Sequence, residues 1–167
     1  SLMSYPLETV LAEKLETVVS RGVANTRPRD FYDIHLLWKT RGGECEIPSL
    51  REALEHTCVK RGSVRMVARW RLVLDEVATD KAMLAQWGRY TKKNPYAAGI
   101  ELMQCCETAK EILDLMGDWV YDRLSRLPKE TLDKMWAMYI AGEFGGMLGT
   151  MVKVYELTGK ENHLKAA

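Results

Sequence analysis

The sequence lacks the features that mark membrane, secreted and zinc-stapled proteins. No apolar run approaches the roughly 18 residues that a membrane helix needs, and no basic and then apolar leader opens the chain. The 4 cysteines form no C-x-x-C pair, so we expect neither a disulfide framework nor a zinc site. These absences predict a globular cytoplasmic protein that has no membrane partner.

Net charge is nearly absent as well. The sequence has 24 lysines and arginines and 23 aspartates and glutamates, so its net charge is only +1. This balance excludes a basic coat over the whole surface, but the charge is unevenly distributed. Residues 59–93 hold 9 basic and 3 acidic side chains, whereas residues 1–58 and 94–167 carry net charges of −2 and −3. The middle stretch is therefore a candidate contact for RNA or another polyanion. A solvated helix face is the alternative interpretation.

The sequence also has no alternating strand pattern with hairpin turns. Apolar residues instead recur at three- and four-residue steps, which predicts an all-α bundle of seven to eight helices without a substantial sheet. Caps, glycines and prolines mark the ends of these helices. They predict helices from Leu7 to a stop at Gly22, from Pro28 to Gly42-Gly43, from a capping box of Ser49 and Glu52, over 64–77, from Thr79 or Asp80 to Asn94-Pro95, over 96–124, from Pro128 to near Gly142, and over 147–157.

One lysine stands out in the first two helices. On a helical wheel, Lys14 lies beside the apolar stripe that contains Leu7 and Leu11, where an ammonium group is costly unless it reaches solvent or an anionic partner. Asp30 and Asp33 are three residues apart and therefore neighbours on one side of the second helix. We predict that the lysine and both acids lean toward the same helix–helix seam. A purely structural ion pair is the alternative.

Residues 8–37 carry the most informative motif, which reads ETVLAEKLETVVSRGVANTRPRDFYDIHLL. It resembles the nucleotidyltransferase toxins of the AbiEii type, which belong to two-gene toxin–antitoxin and phage abortive-infection systems of bacteria. That family has an E-x-x-x-A-E-K-L helix, then an arginine, then R-x-K/R-D-x-Y-D-L. The matching residues here are Glu8, Ala12, Glu13, Lys14, Leu15, Arg21, Arg27, Arg29, Asp30, Tyr32, Asp33 and Ile34.

A second string, WGRYTKKNPYA at residues 87–97, is similar to the W-x-x-Y-x-K-K segment of the same family. The resemblance therefore covers about residues 4–114, and we expect residues 1–114 to form a helical region of the AbiEii type. Family membership implies nucleotidyl transfer of the polymerase-β type, which uses Mg²⁺ and a nucleoside triphosphate.

The resemblance also implies roles for individual residues. Lys14 would bind the phosphates of the nucleotide as a point charge. Asp30 or Asp33 would orient or deprotonate the acceptor hydroxyl, in RNA or protein. Arg27 and Arg29 would add positive charge at the triphosphate or at an RNA backbone.

One family motif is missing from the sequence. The metal-binding carboxylates of the family form a D-x-D on a strand upstream of the lysine motif, and this sequence has no D-x-D. The string Gly42-Gly43-Glu44-Cys45-Glu46 imitates such a motif but follows the lysine and aspartate motifs, so we expect a loop. We therefore predict no metal site. The expected function is that of the C-terminal helical part of an AbiEii-type toxin, inactive by itself.

The last third of the sequence resembles a different family. Residues 117–167 are similar to a segment of β-L-arabinofuranosidase-like glycoside hydrolases, which are built on an (α/α) toroid. We expect residues 115–167 to form a helical tail, either separate or packed into the same bundle. Leu148-Gly149 stands where that family has Asn-Glu, so no catalytic residue is carried over. The matching residues are Gly117, Asp118, Trp119, Glu143, Phe144, Gly145, Gly146, Met147, Tyr155, Thr158, Gly159 and Leu164.

Two alternatives to the AbiEii function remain open at this point. The first is a non-catalytic helical module that binds RNA, an antitoxin or itself through residues 59–93, with Trp70, Trp87 and Tyr90 as aromatic contacts. The second alternative is a fragment derived from a glycoside hydrolase. In each case we expect self-association, because incomplete halves would leave apolar surface exposed.

Overall fold

The computed structural model describes residues 6–125, together with residues 128, 130, 160 and 161. These residues form an all-α fold with no strand, which confirms the predicted fold class. The helices predicted over 128–142 and 147–157 lie outside the described residues. The helices are α1 (Leu7–Arg21), α2 (Pro28–Arg41), α3 (Ile47–Arg61), α4 (Val64–Val67), α5 (Trp70–Thr79), α6 (Lys81–Lys93) and α7 (Leu102–Ser125).

The chain divides into two compact units, Ser1–Asp114 and Leu115–Ala167. The packing considered below is that of the first unit. The assignment of residues 1–114 and 115–167 to two different helical domains stays a prediction. No helix among the described residues is long and apolar enough to cross a membrane.

Helix α1 is the centre of the first unit, and it packs most extensively on α3 and α2. Its apolar stripe of Leu7, Leu11 and Val18 is buried, as the helical wheel predicts, and Leu15 is fully buried as well. Phe31 of α2 and Leu50 of α3 are also fully buried. Burial of these side chains is the main force that holds the three helices together, because apolar surface is removed from water.

Several helix boundaries agree with the sequence signals. Gly22 ends α1 with a positive φ of 51°, and Pro28 is the first residue of α2, where the missing amide hydrogen costs nothing. Asp80 is the N-cap of α6, since its Oδ1 accepts a hydrogen bond of 2.8 Å from the Met83 amide. Asn94 follows the last residue of that helix.

The predicted capping box of Ser49 and Glu52 is wrong. Helix α3 begins at Ile47, so Ser49 lies inside its first turn and caps nothing. The N-cap is Glu46, whose backbone amide donates to Glu8 Oε1 of α1 at 3.0 Å. Helix α3 therefore starts at a contact from another helix, with Pro48 in its first turn.

The helix predicted over 64–77 is divided in the structure. It consists of the single turn α4 and the helix α5, with a turn at residues 68–69 between them. Val64 and Met66 of α4 are exposed. A short helix without a buried face has little tertiary packing to extend it.

The helix predicted over 96–124 starts later than expected. Residues 95–97 form a 3₁₀ turn, Gly99 has a φ of 84°, and α7 begins only at Leu102. The indole nitrogen of Trp87 donates to the Ile100 carbonyl at 2.9 Å and ties the non-helical segment to α6. At Gly117, where the helical pattern weakens, α7 continues without a break.

Candidate functional site

The lysine and the two aspartates predicted to share a seam lie in direct contact. Lys14 Nζ donates hydrogen bonds to Asp30 Oδ1 at 3.0 Å and to Asp33 Oδ2 at 2.8 Å. The side chains of Lys14, Asp30 and Asp33 are 22%, 16% and 21% exposed. We call these three residues the lysine–aspartate cluster. It is largely shielded from water, so its ion pairs are screened less than surface pairs.

The local sequence of each helix explains why this cluster forms. Lys14 lies between Ala12 and Leu15, both fully buried, so its stem packs against the core and its ammonium group needs an anionic partner. Asp30 is in the first turn of α2, where the helix dipole favours an acid. Asp33 follows three residues later on the same side.

The cluster keeps Lys14 charged and leaves it one free donor. Burial lowers the pKa of Lys14, but the hydrogen bonds to Asp33 and Asp30 and the negative charges of both carboxylates outweigh it and raise the pKa above 10.5. An ammonium group has three N–H donors, of which two are bound by the aspartates. No described residue accepts from the third, which can therefore bind a ligand oxygen.

A cleft of about 410 Å³ opens beside the lysine–aspartate cluster. It receives residues from α1, α2, the end of α3 and the turn before α2. Asp30 lines the cleft, whereas Asp33 does not. The lining residues are Thr9, Val10, Glu13, Lys14, Thr17, Arg27, Asp30 and Arg61.

The structure separates the two arginines that the sequence groups together. Arg27 is exposed and lines the cleft. Arg29 does not line it, and its Nε lies 3.6 Å from Asp33 Oδ2. Arg27 can therefore reach a ligand in the cleft directly, whereas Arg29 acts on the charge of Asp33.

Asn25 positions Arg27, and the sequence analysis does not predict this role. Its buried side-chain oxygen accepts a hydrogen bond of 2.8 Å from the Arg27 backbone amide. Its Nδ2 is buried and has no partner among the described residues. An asparagine just ahead of a helix start is a signal for a turn in which its side chain binds the backbone two residues on.

Two further residues of the cleft region were also missed by the sequence. Glu16 of α1 is buried, and its carboxylate accepts a hydrogen bond from the Nη1 of Arg61 at the end of α3. The same nitrogen donates to Thr17 Oγ1 at 3.0 Å. Glu16 and Arg61 are 45 residues apart, so no local spacing indicates that they meet.

The two family strings meet in an aromatic cluster of Tyr32, Trp87, Tyr90 and Tyr96. Tyr32 lies 6.3 Å from Tyr90 and 5.2 Å from Tyr96 between ring centroids, and its hydroxyl donates to the Tyr96 carbonyl at 3.3 Å. Burial raises the pKa of Tyr90, as do the hydrogen bond with Tyr96 and the nearby charge of Asp33. The end of α6 is thus close to the lysine–aspartate cluster.

The aromatic residues of the basic stretch 59–93 are largely engaged. Arg71 lies over the ring of Trp70, with its guanidinium carbon 4.3 Å from the ring centroid. Trp87 is buried, and Tyr90 belongs to the aromatic cluster. These rings are poorly placed to stack on bases, but several cations of α6 are exposed. They are Lys81, Arg89, Lys92 and Lys93.

The described residues do not provide a magnesium site. No group of three or more histidine, cysteine, aspartate or glutamate side chains converges in this part of the chain. Asp30 and Asp33 both bind the ammonium group of Lys14. Gly42–Glu44 form a 3₁₀ turn, in which Glu44 pairs with Arg41 at 2.8 Å. A metal that needs three or more such ligands therefore has no suitable donor set among the described residues.

A comparison with protein families identifies the relationship. The family described as "Nucleotidyl transferase AbiEii toxin, Type IV TA system" matches residues 1–114. The chain belongs to the AbiEii family. No curated protein and no solved structure matches it. The AbiEii match includes the lysine–aspartate cluster, the cleft and the aromatic cluster.

Nothing in these comparisons supports the resemblance of residues 117–167 to glycoside hydrolases. Most of the residues that suggested it lie outside the described residues, including Glu143, Gly145, Gly146 and Tyr155. The AbiEii relationship is therefore the basis for function.

Proposed function

We propose that this AbiEii chain supplies the phosphate-binding side of a nucleotidyl transfer site in a toxin–antitoxin system. The observation that carries the proposal is the position of Lys14, which two aspartates hold at the edge of a cleft that Arg27 also lines. A fixed ammonium group with one free N–H is suited to an oxygen of a nucleotide phosphate.

The two aspartates have different roles in this proposal. Asp33 is held by Lys14 and lies near Arg29, and it positions the ammonium group. Asp30 lines the cleft, and a carboxylate that accepts one hydrogen bond keeps further lone pairs free. Asp30 is therefore the better candidate to orient the acceptor hydroxyl.

The proposed reaction is a displacement at the α-phosphorus of a nucleoside triphosphate. The acceptor oxygen forms a bond to that phosphorus while the bond to the bridging oxygen breaks, and pyrophosphate leaves with its electron pair. The hydroxyl proton passes to Asp30. Lys14 and Arg27 offset the negative charge of the phosphates.

We infer that the chain alone binds a nucleotide but does not transfer it. Its sequence has no D-x-D, and the described residues offer no magnesium site. Mg²⁺ bound by carboxylates from elsewhere would clamp the triphosphate in a complete site. The residues of this chain would then bind and orient the substrates.

The proposed partners follow from the family and from α6. A toxin of this family implies an antitoxin in the same system. The exposed Arg89, Lys92 and Lys93 of α6 lie on the helix that contributes Tyr90 to the aromatic cluster, which supports a contact with the backbone of an RNA acceptor. Self-association through exposed apolar side chains such as Val59 and Leu72 is a further expectation.

Calorimetric titration with GTP and CTP tests the role of Lys14. The matched control is Lys110, which is 16% exposed and donates to Asp75 at 2.5 Å and to Glu107 at 2.7 Å but does not line the cleft. We expect Lys14→Met to weaken nucleotide binding by about tenfold or more, since a charge-assisted hydrogen bond is lost. Lys110→Met should bind like the unchanged chain.

Equal nucleotide binding by the unchanged chain and by folded Lys14→Met would overturn the proposal. Salt-dependent binding of an oligoribonucleotide without any nucleotide binding would favour the non-catalytic RNA-binding module instead.

A further inference from the structure

The charge of the cleft raises a question about triphosphate binding. A triphosphate carries several negative charges, but the single charge of Lys14 is already balanced by Asp30 and Asp33. Attraction of the ligand therefore requires other cations. The other cations that line the cleft are Arg27, which has no ion pair among the described contacts, and Arg61, which is paired with Glu16 through one nitrogen only.

Two residues of α1 hold the side chain of Arg61 in place. Its Nη1 donates to the buried carboxylate of Glu16 and to Thr17 Oγ1, while the side chain as a whole remains 42% exposed. A guanidinium group has five N–H donors in a planar fork, and no described residue accepts from those on Nε and Nη2, which can therefore bind another acceptor. Because Glu16 and Thr17 fix the fork, binding a ligand costs little side-chain entropy.

We propose that Arg61 is a phosphate-binding residue of this cleft that contacts the terminal phosphates of a nucleoside triphosphate together with Arg27. The inference rests on the proposed function, because it names a further residue of the same site. Arg61 matches neither of the two family strings, and only the packing of α3 on α1 brings it to the cleft. Glu16 is the positioning residue that orients its guanidinium group.

The structure supplies a control beside Arg61. Lys60 is exposed and lies next to it in α3. Both residues line a neighbouring cleft of about 460 Å³, but only Arg61 also lines the cleft that contains Lys14. Lys60→Gln removes a positive charge from the same part of the surface. A general electrostatic effect would change both variants alike, whereas a direct contact affects only Arg61.

The experiment measures binding of inorganic tripolyphosphate and of GTP by calorimetry. Arg61→Gln leaves the buried Glu16 without its partner and can unfold the chain. The double variant Glu16→Gln/Arg61→Gln removes both charges and avoids that problem. We expect it to bind both ligands about tenfold more weakly. Arg61→Lys should retain part of the affinity, and Lys60→Gln should retain all of it.

The outcomes separate this inference from the proposed function. If the folded double variant binds tripolyphosphate as the unchanged chain does, Arg61 is not a phosphate-binding residue. This holds even if Lys14→Met weakens GTP binding. If binding depends on Arg61 but not on Lys14, the Arg61 site stands and the proposed function fails. Absence of binding by the unchanged chain to both ligands would overturn both.

Discussion

Lys14 Nζ lies 2.8 Å from Asp33 Oδ2, across the seam between α1 and α2. The contact joins the two most informative motifs of the sequence, and Asp30 completes it from the first turn of α2. Because the lysine stem lies among buried side chains of α1, the ion pair stabilises the helix packing and fixes the ammonium group at the cleft. Stability and the nucleotide binding that we propose therefore depend on the same contact.

Replacement of Lys14 by methionine should lower the free energy of unfolding at neutral pH and reduce its decrease at alkaline pH. The pKa of Lys14 is raised in the folded chain, so its stabilising effect is complete below about pH 10.5 and is lost as the pH rises through the folded-state pKa. At pH 7 we expect Lys14→Met to lose about 2 kcal/mol of unfolding free energy. The difference from the unchanged chain should shrink above pH 10.5.

Urea unfolding followed by circular dichroism at pH 7 and at several alkaline pH values measures this effect. Lys60→Met is the control, since Lys60 is exposed and has no ion pair among the described contacts. A constant difference between the unchanged chain and Lys14→Met across this pH range would show that the two aspartates do not stabilise the charged lysine.

Replacement of Gly22 by alanine should destabilise the chain by about 1–3 kcal/mol. Gly22 has a φ of 51°, and a Cβ atom there would lie 3.2 Å from Cγ1 of Val73 in α5. Gly43→Ala is the matched control, because its Cβ would meet nothing within 4 Å. Thermal unfolding of both variants checks the prediction, which is wrong if the two midpoints fall equally.

The adjacent thiols of Cys105 and Cys106 should resist alkylation in the folded chain. Burial raises the pKa of each to about 12, and both side chains are fully buried. With iodoacetamide at pH 8, peptide mass mapping should find Cys45 modified first, because it is only half-buried, although burial raises its pKa to about 11. Unfolding in urea should expose all four cysteines. Rapid modification of Cys106 without urea would contradict the buried arrangement.

Much of the region around the site could be predicted from local signals. The stop at Gly22, the start at Pro28 and the cap at Asp80 each act within one turn of a helix, and each is present in the structure. The position of Lys14 on an apolar stripe likewise follows from helical periodicity. These features need no knowledge of distant residues.

The errors occur where a distant contact competes with a local signal. Glu8 of α1 binds the amide of Glu46, and α3 starts before the predicted cap at Ser49. Trp87 binds the Ile100 carbonyl of the segment 98–101, which lies outside α7 and contains Gly99 with a positive φ. Helix propensity is a weak preference that such tertiary contacts override.

The sequence by itself determined the all-α class, the AbiEii relationship and the presence of Lys14, Asp30 and Asp33 on two helix faces, because periodicity, caps and motifs are properties of neighbouring residues. Only the tertiary structure decided that Asp30 rather than Asp33 lines the cleft. It also decided that Arg61 lines the cleft while it donates a hydrogen bond to the buried Glu16. That outcome depends on how α3 packs on α1, which the pattern within either helix does not specify.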